Sequence, residues 1–174
     1  MRPLTTRDYR PVVAAARAGD EDAFAELYRV FGRAVHGTLL ARLPASDAAD
    51  LVQDVFIQAW SRLRELRDDS AFGAWICTIA RRQAASHYRS RREFVSLPAN
   101  LAAREGTHVQ AEAHAAVAAI QDLPEAYRET LTLRLVEGLT GSEIASVTGL
   151  TPDSVRVNLH RGFTMLRARL GVTS

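Results

Sequence analysis

Apolar residues recur at helical spacing along most of the chain, and no segment shows sustained alternation of apolar and polar positions. The pattern predicts helices at about residues 12–18, 47–66 and 71–92, with another following Asp20. Asp20 and the two acids after it suit a helix start, because carboxylates accept hydrogen bonds from free N–H groups and favour the positive helix end. We therefore expect an all-α fold without a sheet.

The helix predicted at residues 47–66 separates apolar from polar positions. Its apolar stripe includes Leu51 and Val55 and continues to Leu63. At helical spacing, Asp50, Gln53 and Asp54 fall on the other side. We expect this helix to bury one face and to present an acidic face to solvent.

The helix predicted at residues 71–92 combines arginines with aromatic residues. Four arginines fall within an arc of about 100° on one face: Arg81, Arg82, Arg89 and Arg92. Phe72, Trp75 and Tyr88 flank that face. Because aromatic rings stack on unpaired bases and arginines follow phosphates, this combination favours single-stranded or opening DNA. The alternative is an apolar core that includes the aromatic rings, with a solvated arginine face.

Residues 94–115 interrupt the helical pattern and contain Pro98, Asn100 and Gly106. We interpret them as a flexible linker, in which a helix could begin at Val109. A second helical block is expected from about residue 116 onward. The linker would permit the two lobes to close on each other without requiring it.

The last third of the chain has the pattern of a helix-turn-helix. A short helix at residues 142–148 leads to Gly149, which can adopt positive φ, and Leu150 is expected to enter the core. Thr151 and Pro152 then form a cap and a first turn. One face of the following helix carries polar residues, among them Arg156, His160, Arg161, Thr164 and Arg167. The pattern favours a recognition helix for the major groove over an ordinary hairpin with a basic face.

The distribution of charged residues along the chain is more informative than the net charge. The chain has 174 residues and a net charge of +2, and all 22 basic residues are arginine. Residues 70–92 and 152–170 are basic, whereas residues 94–122 are mildly acidic. Two basic patches thus lie in separate helical blocks, which suits contact with nucleic acid at two places.

The sequence lacks the residues that several classes of function require. Cys77 is the single cysteine, which excludes an internal disulfide and a multi-thiolate zinc site, and we expect it to be a small packed residue. No two histidines have the spacing of a helical zinc pair, and no phosphate-binding glycine loop or nucleophile elbow occurs. We expect no metal, cofactor or catalytic residue. Without a membrane span or a secretory signal, the expected compartment is the cytoplasm.

Several motifs in fixed order resemble the bacterial RNA polymerase sigma factors of the extracytoplasmic-function (ECF) class. They are residues 18–28, 50–60, 72–81, 123–128 and 143–145. The resemblance implies a sigma region 2 domain at residues 1–93, a linker at 94–115 and a sigma region 4 domain at 116–174. It further implies a non-enzymatic transcription initiation factor that binds core RNA polymerase and promoter DNA, with an anti-sigma factor as a further partner.

The resemblance also implies a role for particular residues. Asp50, Gln53 and Asp54 match the polymerase-binding face. The residues implied for recognition and melting of the −10 element are Arg67, Asp68, Asp69, Ser70, Trp75, Arg81, Arg82, Arg89 and Arg92. Those implied for the −35 element are Arg156, Val157, Asn158, His160 and Arg161. The chain departs from the family's common pattern at Gly162 and Phe163, where Ala-Arg is usual.

The sequence leaves three alternative functions to consider. A one-component regulator would bind duplex DNA without polymerase, but two basic patches and an acidic helix argue against it. A signalling module that mimics a sigma factor should lack the basic melting helix. A small helical hydrolase would need a concave site built from scattered His and Asp residues, and intrinsic turnover by the purified protein would favour it.

Overall fold

The computed structural model describes residues 8–94 and 108–171, and every regular element within these ranges is helical, which confirms the predicted all-α class. The helices are α1 Arg10–Arg17, α2 Glu21–Leu40, α3 Ala45–Arg62, α4 Phe72–Phe94, α5 His108–Gln121, α6 Glu125–Leu135, α7 Gly141–Thr148 and α8 Pro152–Leu170. Two single 3₁₀ turns, Leu63–Glu65 and Asp69–Ala71, connect α3 to α4. We refer to α1–α4 as the first lobe and to α5–α8 as the second lobe.

Side-chain caps define several helix starts, and the sequence predicts those at Asp20 and Thr151. The Asp20 carboxylate accepts a hydrogen bond from the Ala23 amide at 2.9 Å. Thr140 and Glu143 form a capping box at the start of α7, and the Thr151 hydroxyl caps α8. Between α7 and α8, Gly149 has φ of +75°, a conformation that glycine adopts without steric cost. The predicted helix-turn-helix is therefore present.

The apolar stripes of α1–α4 meet in the core of the first lobe. Leu27, Val55, Phe72 and Ile76 are almost completely buried there. Each such side chain stabilises the fold by about 1.5–3 kcal/mol relative to exposure. This packing fixes the orientation of α3 and α4, so the polar faces of both helices are set by the core beneath them.

The core does not stop at the boundary between the lobes. Leu133, Leu139, Ile144 and Val147 of the second lobe belong to the same buried cluster as the residues of the first lobe. A smaller separate cluster, formed by Ile120, Leu123, Leu131 and Leu166, holds α5, α6 and α8 together. The two lobes are thus closed on each other and share an apolar interface.

Helix α5 begins at His108, one residue before the start that the sequence allows at Val109, and residues 95–107 of the segment interpreted as a linker lie outside the described residues. One feature differs from the expectations. The expectation that Leu150 enters the core is wrong: it remains 37% exposed because Ile144, Val147 and Val155 already fill the space between α7 and α8. In the part of the chain that the structure describes, no helix is long and apolar enough to cross a membrane.

Candidate nucleic-acid and polymerase interfaces

The acidic face of α3 is open to solvent. Asp50, Gln53 and Asp54 are exposed, whereas Val55 and Phe56 are buried on the other side of the helix. The three polar residues lie at positions i, i+3 and i+4, so they form one continuous patch. The patch supplies carboxylates and an amide in a fixed helical register to a partner surface.

An apolar groove, which the sequence pattern does not predict, adjoins this acidic face. Its volume is about 330 Å³, and its lining includes Gln53 itself together with Tyr28, Ile57 and Trp60. Ile57 is 59% exposed and lies seven residues after Asp50, which places it on the same side of α3. An isoleucine at a solvent-facing helical position was the available signal, since exposed apolar groups next to polar ones are typical of binding surfaces.

The segment before α4 is ordered by its own side chains. Asp68 accepts hydrogen bonds from the amide and hydroxyl of Ser70 at 2.9 and 2.7 Å. Asp69 pairs with Arg17 of α1 at 2.7 Å, which ties the segment to the first helix. Arg67 and Ser70 remain exposed at the surface. The predicted residues are therefore brought together in one short, anchored loop.

The aromatic residues of α4 divide between core and surface. Phe72 is buried, and its ring centroid lies 5.9 Å from that of Trp75, which packs partly against the core. Tyr88 is 58% exposed further along the helix. Phe72 is therefore a core residue, whereas Tyr88 is exposed and Trp75 is half-buried.

The arginines of α4 do not share one environment. Arg82 and Arg89 are exposed, and the side chain of Arg92 lies outside the described residues. Arg81 is only 25% exposed, because its guanidinium lies against Glu129 of α6, with Nη2 to Oε1 at 2.9 Å and Nε to Oε1 at 3.1 Å. Arg81 is therefore covered by the other lobe and not by the interior of its own.

Glu129 collects several donors from the first lobe. Besides Arg81, it accepts hydrogen bonds from Arg42 Nη2 at 3.0 Å and from the Thr38 hydroxyl at 3.2 Å. Burial alone would raise the pKa of this carboxyl, but hydrogen bonds and the positive charges of Arg81 and Arg42 outweigh it and lower the pKa. Sequence reasoning assigned Glu129 no role. Glu129 lies in a helix without a clear polar face, and a charged residue in such a helix is the signal that could have indicated a buried, paired carboxylate.

The helix α8 presents most of its predicted contact residues to solvent. Arg156, Val157, His160 and Arg161 are exposed, and Arg156 makes only a surface ion pair, with Asp153 at 3.2 Å. Asn158 is half-buried and donates a hydrogen bond to the carbonyl of Ala126 at 3.1 Å. Four of the five side chains are therefore accessible, while Asn158 also fastens α8 to α6.

Cys77 is buried and chemically quiet. Burial raises the pKa of its thiol to about 12, so the reactive thiolate is scarce near neutral pH. Among the residues with a described position, no group of three His, Cys, Asp or Glu side chains could hold a metal ion. The features that can engage a partner are the acidic face with its groove and the basic surfaces of α4 and α8.

Comparison with known proteins agrees with this arrangement. The Sigma-70 region 2 family matches residues 27–94, and the Sigma-70 region 4 family matches residues 113–166. RNA polymerase sigma factor CarQ of Myxococcus xanthus is 32% identical over 165 residues, which cover 89% of this chain and 93% of CarQ. ECF RNA polymerase sigma factor BldN of Streptomyces coelicolor is 31% identical over 170 residues, which cover 91% of this chain and 64% of BldN.

A solved structure has a similar arrangement of helices. It is that of CnrH in complex with the cytosolic domain of CnrY, with a TM-score of 0.68 and 27% identity, covering 96% of this chain and 100% of CnrH. The two family matches fall on the two lobes in the order in which the basic helices α4 and α8 occur along the chain. The chain belongs to the RNA polymerase sigma factors, in their extracytoplasmic-function class.

Proposed function

We propose that the two lobes divide the work of promoter recognition, with residues 1–93 acting on the −10 element, residues 116–174 on the −35 element, and residues 94–115 connecting them. As a sigma factor, the chain directs core RNA polymerase to promoters. The observation that supports the division of labour is the presence of an exposed basic helix in each lobe, α4 and α8, with the proposed polymerase-binding face on α3.

Core polymerase docks on the acidic face of α3 in this proposal. Asp50 and Asp54 offer charge to a basic partner, and Gln53 connects them to the apolar groove that includes Ile57 and Trp60. Apolar burial in the groove would supply affinity, while the flanking carboxylates would favour the correct orientation.

The loop before α4 and the exposed arginines of α4 then act on the −10 element. Extrusion of a base from the duplex costs a few kcal/mol, which stacking and hydrogen bonds to the base edge must offset. In this proposal the half-buried Trp75 and the loop residues 67–70 perform that task, and the exposed Arg82 and Arg89 follow phosphates.

The second lobe reads the −35 element through α8. The exposed Arg156 and Arg161 lie five residues apart on one helix, within reach of neighbouring positions along a major groove. An arginine that makes two hydrogen bonds to guanine contributes about 1–3 kcal/mol of discrimination against other bases. Val157 and His160 complete the accessible surface of the helix.

The chain would supply recognition and no catalytic chemistry, cofactor or metal. Sigma factors are initiation factors, and polymerase performs the synthesis. We place the protein in the cytoplasm, associated with the nucleoid when bound to polymerase. Control by an anti-sigma factor is part of the proposal, because CnrH is seen in complex with the cytosolic domain of another protein, CnrY.

Run-off transcription tests the proposal directly. Core polymerase from the same bacterium, a promoter library and the purified chain should yield transcripts from a defined set of start sites, and core polymerase alone should not. Sequencing the transcripts would identify the promoter motif. Failure to obtain any promoter-dependent transcript under permissive salt and temperature would contradict the proposed function.

Two arginines test the assignment of the second lobe. Arg156→Ala and Arg161→Ala should each weaken the use of the −35 element by about tenfold, a loss expected when one base contact disappears. Core binding should not change, as measured by fluorescence anisotropy of labelled protein. Arg169→Ala is the matched control, since Arg169 is exposed on α8 but lies about two turns beyond Arg161 and pairs with Asp122. Loss of core binding in the test variants would instead indicate a structural role.

A further inference from the structure

A cavity separate from the apolar groove opens between α4 and α6, and we refer to it as the arginine cleft. Its volume is about 450 Å³, within the range of about 300–1,000 Å³ that is typical of small-molecule sites. One wall is a continuous stripe of α4, because its lining residues recur at positions i, i+3, i+4, i+7 and i+8. They are Arg81, Ala84, Ala85, Tyr88 and Arg89.

The rest of the arginine cleft comes from other parts of the chain. Glu125 and Arg128, about one turn apart on α6, face the stripe, and Arg42, just after the end of α2, completes the lining. The small side chains of Ala84 and Ala85 lie in the middle of the stripe, so α4 does not fill the space between the two walls. The cleft is therefore concave and bounded by three segments, a shape that suits a small molecule rather than a duplex.

Positive charge exceeds negative charge in the arginine cleft. Its lining contains four arginines and one glutamate, and guanidinium groups stay protonated throughout the physiological pH range. Carboxylates of α6 pair with Arg42 and Arg81. Among the residues that the structure describes, neither Arg89 nor Arg128 forms an ion pair with a carboxylate. Two of the four guanidinium groups can therefore pair with an anionic ligand.

Arg128 carries a buried donor whose hydrogen bonding is incomplete. Its Nη1 donates a hydrogen bond to the Gln121 carbonyl at 3.2 Å, which holds the side chain against the end of α5. Its Nε is buried and has no hydrogen-bond partner within the described part of the chain. A buried donor without an acceptor is destabilising, and a ligand oxygen that enters the cleft would supply the acceptor. A guanidinium edge offers two parallel N–H groups, which match two oxygens of one phosphate.

Tyr88 adds an aromatic surface to the same stripe. Its side chain is 58% exposed, and it precedes Arg89 directly along α4. Aromatic rings stack on any nucleobase, because every base has a π-face. A ring for stacking and guanidinium groups for phosphates thus line one cavity, which is the combination that a nucleotide requires.

We propose that the arginine cleft binds a small phosphorylated nucleoside, with phosphate oxygens on Arg89 and Arg128 and the base stacked on Tyr88. The site goes beyond promoter recognition, since neither Arg128 nor Tyr88 belongs to the proposed polymerase or DNA contacts. It makes the factor a receptor for a small molecule in its own right, without a partner protein.

Isothermal titration calorimetry of the free protein with ADP tests the site directly. At about 0.15 M salt, where exposed charges are screened beyond about 8 Å, we expect one ADP per chain with a dissociation constant below about 1 mM. Inorganic pyrophosphate lacks the base and adenosine lacks the phosphates, so each should bind at least about fivefold more weakly. Because stacking tolerates every base, ADP is a sufficient probe, and failure to bind it would overturn the proposal.

Two substitutions probe the two halves of the site. Arg128→Gln should weaken ADP binding by about tenfold, because it removes a charged hydrogen-bond donor from the phosphates. Tyr88→Leu should weaken ADP binding by about fivefold or more and leave pyrophosphate binding unchanged. Arg134→Gln is the matched control on α6, since Arg134 also donates to a backbone carbonyl, that of Leu139 at 3.0 Å, but does not line the cleft.

The outcomes separate the proposed ligand from other anions and from DNA. Equal binding of pyrophosphate and ADP, unaffected by Tyr88→Leu, would refute the nucleoside and leave an anion site. Equal weakening by Arg128→Gln and Arg134→Gln would indicate unspecific attraction of charge and refute the site. A short single-stranded oligonucleotide that needs Arg128, in a protein that does not bind ADP, would assign the cleft to DNA.

Two features keep the test decisive. Circular dichroism and thermal unfolding verify that Arg128→Gln is folded, and Tyr88→Leu at an exposed position tests the site even if Arg128→Gln is not. None of these measurements involves polymerase or a promoter. A protein that binds ADP in the cleft but gives no promoter-dependent transcript would contradict the proposed function and leave the nucleotide site in place.

Discussion

At the scale of single residues, Gly162 explains one departure of this chain from the common pattern of its family. A Cβ atom there would lie 2.8 Å from Leu131 Cδ1 and 3.3 Å from Tyr127 Cβ. Leu131 is fully buried in the core of the second lobe and cannot move away freely. Helix α8 thus crosses α6 at a point where only glycine fits.

We predict that Gly162→Ala lowers the free energy of unfolding by about 1 kcal/mol. Overpacking costs about 1–3 kcal/mol, and the higher helix propensity of alanine returns up to about 1 kcal/mol. Chemical denaturation measures the difference. Gly141→Ala is the control, because nothing lies within 4 Å of its Cβ position at the start of α7. Stabilisation in both variants would show that α6 yields without cost.

The sequence predicts some residue environments well and others poorly. The exposure of Asp50, Gln53 and Asp54 follows from their spacing opposite an apolar stripe, a local pattern. The burial of Arg81 depends on Glu129, which lies 48 residues away and carries no periodic signal. Long-range pairs of this kind are set by how helices cross, and one sequence does not reveal them.

At the scale of elements, helix α3 carries the polymerase-binding hypothesis. We predict that Asp54→Arg weakens the affinity for core polymerase by about tenfold or more, because a like charge placed against a basic partner repels it. Titration of labelled core polymerase measures the affinity. The loss of affinity relative to the wild type should be larger at low salt, where charges are less screened. Asp122→Arg is a matched charge reversal on the second lobe, at a side chain that is 71% exposed. Equal affinity in the two variants would refute the placement of polymerase on α3.

Helix boundaries were best predicted where a local signal marks them. Asp20, Thr151 and Gly149 act as expected, because the chemistry of a cap is local. Helix α5 has an alanine-rich sequence in which small residues give little contrast between faces, yet it starts at His108, one residue before the position that the sequence allows. Helix α6 is buried on several sides over residues 129–133 and therefore shows no single apolar stripe.

At the scale of the whole molecule, closure of the lobes is the feature that sequence could permit but not predict. Each lobe has the pattern of a separate helical unit. Their shared core arises because Leu133 and Val147 face the first lobe, although each also fits a stripe of its own helix. Two marginal helical units gain stability by burying apolar area in common, since small domains bury a smaller fraction of their surface.

A second ion pair makes closure sensitive to pH. His36 Nδ1 lies 2.6 Å from Glu137 Oε1, and Arg33 Nε lies 3.6 Å from the other oxygen of the same carboxylate. The hydrogen bond with Glu137 raises the pKa of His36 above its ordinary value near 6.5, against the opposing effect of burial. A raised pKa in the closed form means that the protonated histidine stabilises closure.

The raised pKa of His36 determines the pH range in which its protonation stabilises closure. The stabilisation is fully present below pH 6.5, the ordinary pKa of His36, and is lost as the pH rises through the higher pKa of the closed form. Glu129 does not contribute over this range, because its lowered pKa keeps it ionised until the pH falls below its ordinary value of 4.5. Closure should therefore weaken as the pH rises above 6.5, through His36 rather than through Glu129.

We predict that, as the pH is raised from below to above 6.5, the unfolding free energy of the wild type falls by up to about 1 kcal/mol more than that of His36→Gln, the upper range for a partly exposed pair. Chemical denaturation at several pH values measures the difference, and His160→Gln, at an exposed site on α8, should behave like the wild type. If His36→Gln shows the same pH dependence as the wild type, His36 does not couple protonation to closure. A steeper fall in His36→Gln would mean that the closed form prefers the neutral ring.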